Sequence, residues 1–228
     1  MMDQIIRYAK VIKIIKKENP KKILEVGSGT NGICKFMNRK IIGLDKDFED
    51  YMGKKNLPIN KNLTKLKGDI TKKTSFRDNE FDFVICIDVL EHIPSNKRIN
   101  AILEVLRISK KTYIAFPSGE KGREIDYKLK EYLVKRKRNV PLWLKEHLSL
   151  EYPKRGELIQ ILNHFPNIRY KKMDNENVNL HKIIMIGEFH KISRNILSLI
   201  SKSFLMKFFD DQFDFSPTYR EAYYIEKI

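Results

Sequence analysis

The stretch Lys22-Ile23-Leu24-Glu25-Val26-Gly27-Ser28-Gly29-Thr30-Asn31-Gly32 decides the reading of this chain. Its first half is a short apolar run, as a strand buried on both faces requires, and its second half is a turn. Glycines at 27, 29 and 32 satisfy GxGxxG. That spacing lets a backbone turn tightly from a strand into a helix and approach a ligand with no side chain in the way. Taken alone the pattern is weak, because loops meet it by chance and NAD-binding proteins share it.

Working outward, Ile5, Ile6, Ala9, Ile12 and Ile15 recur near helical spacing over 4–17, and Asn19-Pro20 ends that helix. Strands are expected at 41–44, ended by Asp45; at 63–67, ended by Gly68-Asp69; at 81–87, ended by Asp88; and at 112–116, stopped by Pro117. Ile99, Ile102, Leu103 and Leu106 follow i, i+3, i+4, i+7, which predicts a helix with one buried stripe. Strands alternating with helices imply an α/β fold with a mostly parallel sheet and helices on both faces. Glu25, Asp45 and Asp69 then stand where such sheets bind ligands, at the carboxyl ends of the strands. A strand-end Asp often only caps the next helix; three in order are harder to explain that way.

The chain has 228 residues and 27.1 kDa, 42% hydrophobic and 32% charged, which suits a single domain, 1–228, with insertions. No run is long and apolar enough to span a bilayer, and the N-terminus lacks the apolar centre of a signal peptide. Cys34 and Cys86 form no CxxC or Cys/His cluster, so no disulfide framework and no metal site are expected, and a cytoplasmic location is the default. The net charge of +16 raises nucleic acid as a partner, but a general lysine-rich bias explains it equally well.

Two segments depart from the alternating pattern. Residues 121–155 hold eleven Lys/Arg against five Asp/Glu, include Lys135-Arg136-Lys137-Arg138, and carry Tyr127, Tyr132, Trp143 and Tyr152. They read as a partly helical lid inserted over about 120–155, its aromatics filling its own core more readily than stacking bases. A helix at 156–165 and strands at 181–189 and 222–228 complete the sheet. Between those strands, about 190–215, an amphipathic stretch from Ile196 to Phe209 with Arg194, Lys202 and Lys207 reads as a packed helix, or as an interfacial helix making peripheral membrane contact through 194–209.

The segments ILEVGSGTNG, GLDKD, KGDI and FDFVICIDVLEHIP resemble motifs I to IV of class I S-adenosylmethionine-dependent methyltransferases. Asp88-Val89-Leu90-Glu91-His92-Ile93-Pro94 is similar to the ubiquinone-biosynthesis-like, type 11, group. The resemblance covers roughly residues 20–117. It implies a Rossmann-like seven-stranded sheet with an antiparallel last strand, and S-adenosyl-L-methionine as cofactor. It also implies roles: the loop Gly27, Ser28, Gly29 for the methionine part, Glu25 behind it, Asp45 for the ribose, Asp69 with the Ile70 backbone for adenine. Asp88, followed by Val89, would lie beside the methionine amino group. Lys46 stands where relatives place an apolar residue, and its stem would pack on the adenine ring.

Methyl transfer from a sulfonium is in-line attack by an acceptor O, N or C atom, so the protein mainly positions reactants, an effect of about 7–11 kcal/mol. A hydroxyl acceptor also needs a base. His92, after the fourth strand, is the first candidate and His147 the second, each with packing as the plain alternative; His164 and His181 read as structural. The absence of an Asn/Asp-Pro-Pro-Tyr sequence after the fourth strand disfavours amino-group transfer to nucleobases. Cys86, inside that strand, is no nucleophile. The expected acceptor is a small or carrier-linked molecule, saccharide- or lipid-linked ones included. RNA methylation, a non-catalytic binding module and NAD-dependent oxidation are the alternatives, in that order.

Overall fold

The computed structural model describes residues 2–48, 60–202 and 214–228. Its sheet has seven strands: β1 (Ile23–Val26), β2 (Ile41–Asp45), β3 (Leu63–Lys67), β4 (Phe81–Ile87), β5 (Ser109–Pro117), β6 (Ile168–Asn177) and β7 (Thr218–Lys227). They lie in the order β3-β2-β1-β4-β5-β7-β6. The first five run parallel, and β7 is antiparallel to both its neighbours, β5 and β6. This is the Rossmann-like methyltransferase architecture expected from the motifs. The strand order reverses between β1 and β4, so the carboxyl ends of those strands open a crevice.

Helix α1 (Met2–Glu18) covers one face, where Val11 and Ile15 pack with Phe83, Ile85 and Tyr113. Helices α2 (Ser95–Ile108) and α5 (Glu157–Leu162) cover the other, packing Ile102, Leu106 and Leu158 with Val84, Cys86 and Ile114. Residues of β4 therefore alternate between the two cores, which is why the strand reads as continuously apolar. Four more helices join the outer strands: α3 (Gly119–Lys135) and α4 (Leu142–Ser149) after β5, α6 (Val178–Glu188) and α7 (Lys191–Lys202) after β6. Leu129, Leu133, Leu144 and Met185 form the core that binds α3, α4 and α6. No helix among the described residues is long and apolar enough to cross a membrane.

Three local expectations are corrected. Residues 181–189 are not a strand but lie mostly in α6. Asn177 starts that helix by accepting hydrogen bonds from the Asn179 and Leu180 N–H groups. Val178, His181, Ile184 and Met185 then bury one helical stripe. The missing strand is β6, an edge strand whose outer half is too polar and exposed to read as apolar. After the glycine turn there is no α-helix but a single 3₁₀ turn, Gly32–Lys35, because Phe36 already leaves it and β2 begins at Ile41.

In the basic segment, Tyr132 and Trp143 pack into the α3–α4–α6 core and Tyr152 is buried, while Tyr127 stays exposed. In the amphipathic stretch, Leu197 packs inward and Ile192, Ile196, Leu199 and Ile200 are exposed. Phe204, Leu205, Lys207, Phe208 and Phe209 lie outside the described residues.

Candidate active site

The glycine turn is built by two constraints. Gly27, Gly29 and Gly32 adopt φ of +73°, +52° and +48°, the left-handed region that side chains disfavour. The surroundings of Gly27 and Gly32 also leave no room. A Cβ on Gly27 would stand 2.4 Å from Val89 Cγ2, and one on Gly32 would stand 2.0 Å from Glu25 Oε2. Glu25 is buried beneath the turn, where its carboxylate accepts the Ile33 N–H at 2.9 and 3.1 Å and the Tyr8 hydroxyl at 2.8 Å. Burial pushes its pKa up to about 7, with those hydrogen bonds pulling the other way. Ser28 turns inward against β2, and a Cβ on Gly43 would stand 2.3 Å from its hydroxyl.

The acidic strand ends divide into different tasks. Asp45 accepts the Gly29 N–H at 2.8 Å and the Asp47 N–H at 3.3 Å. Burial raises its pKa against those bonds, and a carboxylate with two such bonds keeps lone pairs to offer a ligand. Asp69 directs one oxygen to the Thr71 N–H and hydroxyl, at 2.9 and 2.7 Å, and the other lies 3.4 Å from Lys46 Nζ. The cavity wall beside it is made by Gly68 and Ile70. Asp88 is held by two guanidiniums: Arg220 at 2.7 and 2.9 Å and Arg7 at 3.0 Å. Burial alone would raise its pKa, but Arg220 and Arg7 outweigh it and keep Asp88 below the usual carboxylate value.

A cavity of about 1210 Å³ runs over these strand ends. Gly27, Gly29, Asp45, Lys46, Ile70 and Val89 line one part of it. His92, Trp143, Glu146 and His147 line another, and Arg7 and Arg220 are also in its wall. The turn Leu90–His92 and helix α4 thus bring together two histidines 55 residues apart in sequence. Their Nε2 atoms face each other at 3.2 Å. His92 Nδ1 lies 2.9 Å from Glu146 Oε2, and His147 Nδ1 lies 2.8 Å from Asp126 Oδ2. Burial opposes protonation of His92, but Glu146 and Glu91 raise its pKa; at His147 burial prevails and lowers it. His181 lies apart from this pair, bound to Glu176 at 2.9 Å and stacked on Tyr219. His164 bonds its own helix at the Gln160 carbonyl.

Residues 24–114 match the family model described as Methyltransferase domain. Those residues carry a methyltransferase domain, similar to that of the type 11 group. The protein is an enzyme, and S-adenosyl-L-methionine is its cofactor. The methyltransferase fold is also that of three solved structures. The methyltransferase domain of bacterial CtHen1 superposes with a TM-score of 0.55 at 14% identity, covering 100% of both chains. The plantazolicin methyltransferase BpumL, solved with a pentazolic desmethylPZN analog and SAH, gives 0.58 at 17% identity, covering 100% of this chain and 86% of its own. A putative methyltransferase solved with the Haloferax volcanii Trm112 methyltransferase activator gives 0.53 at 11% identity, covering 97% and 89%.

The methyltransferase's own residues fit the cofactor. The cradle at Gly27 admits no Cβ, Asp45 retains acceptor capacity at the cavity edge, and the space is ample for a nucleoside with an amino-acid tail. Sequence reading missed Arg7, Arg220, Glu91, Glu146 and Asp126. The arginines come from the two ends of the chain: the packing of α1 brings Arg7 to Asp88, and the sheet order brings Arg220. Glu91 was in view within the motif, but nothing in its sequence neighbourhood told that it faces His147 at 3.7 Å.

Proposed function

We propose that the enzyme methylates an O, N or C atom of a small or carrier-linked acceptor, saccharide- and lipid-linked molecules included, bound between the strand ends and helix α4. The observation that carries this reading is one cavity with two chemically different parts: the glycine turn with Asp45, and the His92–His147 pair with Trp143. In the first part, the Gly27 and Gly29 backbone meets the methionine end, and Arg7 stands ready for its carboxylate. Asp45 accepts from the ribose hydroxyls, while Ile70 and the Lys46 stem flank the adenine.

When bound, the cofactor supplies a methyl group already activated on a sulfonium. Gly27, Gly29, Asp45 and Arg7 would hold it so that this methyl could pass to the acceptor atom. Trp143 and Leu142 line the acceptor side. His92 and His147 line the acceptor side of the cavity. Orientation by such walls is worth about 7–11 kcal/mol of barrier.

Trp143, Tyr132 and Tyr152 are occupied in packing, which favours a small acceptor over stacked RNA bases. The test offers the purified enzyme methyl-labelled cofactor with either a protein-free small-molecule extract or total RNA. Label in the small-molecule or carrier fraction is the expected result; label in RNA alone overturns the acceptor class.

A further inference from the structure

Three potential donor groups converge beside the acceptor part of the cavity. Each imidazole is held from behind: Glu146 Oε2 lies 2.9 Å from His92 Nδ1, and Asp126 Oδ2 lies 2.8 Å from His147 Nδ1. An ionised carboxylate only accepts, so each Nδ1 carries the proton and each neutral ring presents its lone pair at Nε2. Those two lone pairs point at one another across 3.2 Å. Two bare lone pairs at that separation repel, so the arrangement requires either a proton or a metal ion between them.

Glu91 supplies a third donor. It is completely buried, yet neither of its carboxylate oxygens has a hydrogen-bond partner. An orphaned buried carboxylate is costly and requires an explanation. Its Oε1 lies 3.7 Å from His147 Nε2, and the donor atoms of Glu91, His92 and His147 all lie within 4.8 Å of one another. Two nitrogens bound at 2.0–2.1 Å to a tetrahedral ion stand about 3.3 Å apart, close to the separation found here. Carboxylates on the far nitrogens are the supports that metal-binding histidines usually have.

We propose that Glu91, His92 and His147 bind one divalent first-row transition-metal ion, with its remaining positions open to the cavity. Two imidazoles and one carboxylate suit Zn²⁺, Co²⁺, Mn²⁺ or Fe²⁺ better than Mg²⁺ or Ca²⁺. The second histidine–carboxylate group, Asp3, Glu176 and His181, takes no ion: Arg220 already occupies it, bonded to Glu176 and 3.3 Å from Asp3. The consequence for chemistry rests on the methyl-transfer reading: an ion there accepts an acceptor hydroxyl as ligand and eases loss of its proton, so the acceptor class narrows to oxygen. Metal binding itself stands without that reading.

The test uses full-length protein stripped with a chelator, dialysed and titrated calorimetrically with ZnCl₂ and separately with MnCl₂; CoCl₂ is followed by visible absorption. One ion per chain is expected, with cobalt bands of a low-symmetry site. Glu91→Gln and His92→Gln are expected to lower affinity at least tenfold, while His164→Gln leaves it unchanged. His147→Gln is included where circular dichroism shows it folded; the partly exposed His92 keeps the test decisive where it is not. No binding by folded wild type, or equal affinity in Glu91→Gln and His92→Gln, overturns the site and leaves a proton shared by the two histidines. S-adenosylhomocysteine is titrated into the same metal-free samples. Its binding without metal binding removes the ion alone, whereas its failure to bind removes the transferase reading.

Discussion

Arg220 on β7 donates two hydrogen bonds to Asp88 at the end of β4, Nε to Oδ1 at 2.7 Å and Nη2 to Oδ2 at 2.9 Å. The pair spans 132 residues of sequence and closes the sheet around the cavity. Arg220 also bonds Glu176 and stands 3.3 Å from Asp3, so three carboxylates depend on it, Asp3 and Glu176 buried and Asp88 partly so. Arg220→Met would leave them with Arg7 as the remaining arginine. Breaking a buried ion pair from one side costs about 3–5 kcal/mol. Urea denaturation of this variant is expected to show a loss of that size, and a loss below about 1 kcal/mol would contradict the network's role.

Gly27 combines positive φ with a contact that forbids a methyl. Gly27→Ala should therefore weaken S-adenosylhomocysteine binding at least tenfold by calorimetry. Trimming the opposing side chain separates the two causes. In Gly27→Ala/Val89→Ala the steric part is relieved, and part of the affinity returns. The left-handed backbone still costs about 1–2 kcal/mol, so recovery stays incomplete. Full recovery, or none, would contradict this division.

Glu25 gives stability a definite dependence on pH. Its folded pKa, about 7, lies above the ordinary 4.5, so between those values the folded state holds the proton more tightly than the unfolded chain. Stability from this group is complete below about pH 4.5, falls as pH rises, and levels off beyond about pH 7. The fall amounts to about 3 kcal/mol. In Glu25→Gln that slope disappears, so wild-type stability relative to the variant should drop by this amount across the window. Parallel curves for the two proteins would show that Glu25 does not titrate there.

Much of the site was legible because its determinants are local. The apolar run 23–26, the glycines and Asp45 sit within the span from strand β1 to the end of β2, where an apolar run, the GxGxxG spacing and a strand end locate them. The 3₁₀ turn at Gly32–Lys35 escaped because GxGxxG reports the turn and not the length of the helix after it. β6 escaped because an edge strand needs no apolar outer face, while α6 was mistaken for it because a short apolar run has no clear period. Asp69 was read as a cofactor ligand from its place at a strand end; one of its oxygens bonds Thr71, and the other lies 3.4 Å from Lys46 Nζ. The Arg220–Asp88 and His147–His92 contacts join residues 132 and 55 apart, and no local pattern encodes such pairs.

Cofactor binding over the glycine turn beside Asp45 underlies every functional role assigned above. Calorimetric titration of S-adenosylhomocysteine into wild type and Asp45→Ala tests it most directly. We expect one site per chain in wild type, with Asp45→Ala, folded by circular dichroism, about 10²-fold weaker, the worth of hydrogen bonds to a charged group. Absence of binding to folded wild type, or undiminished affinity in Asp45→Ala, would contradict it.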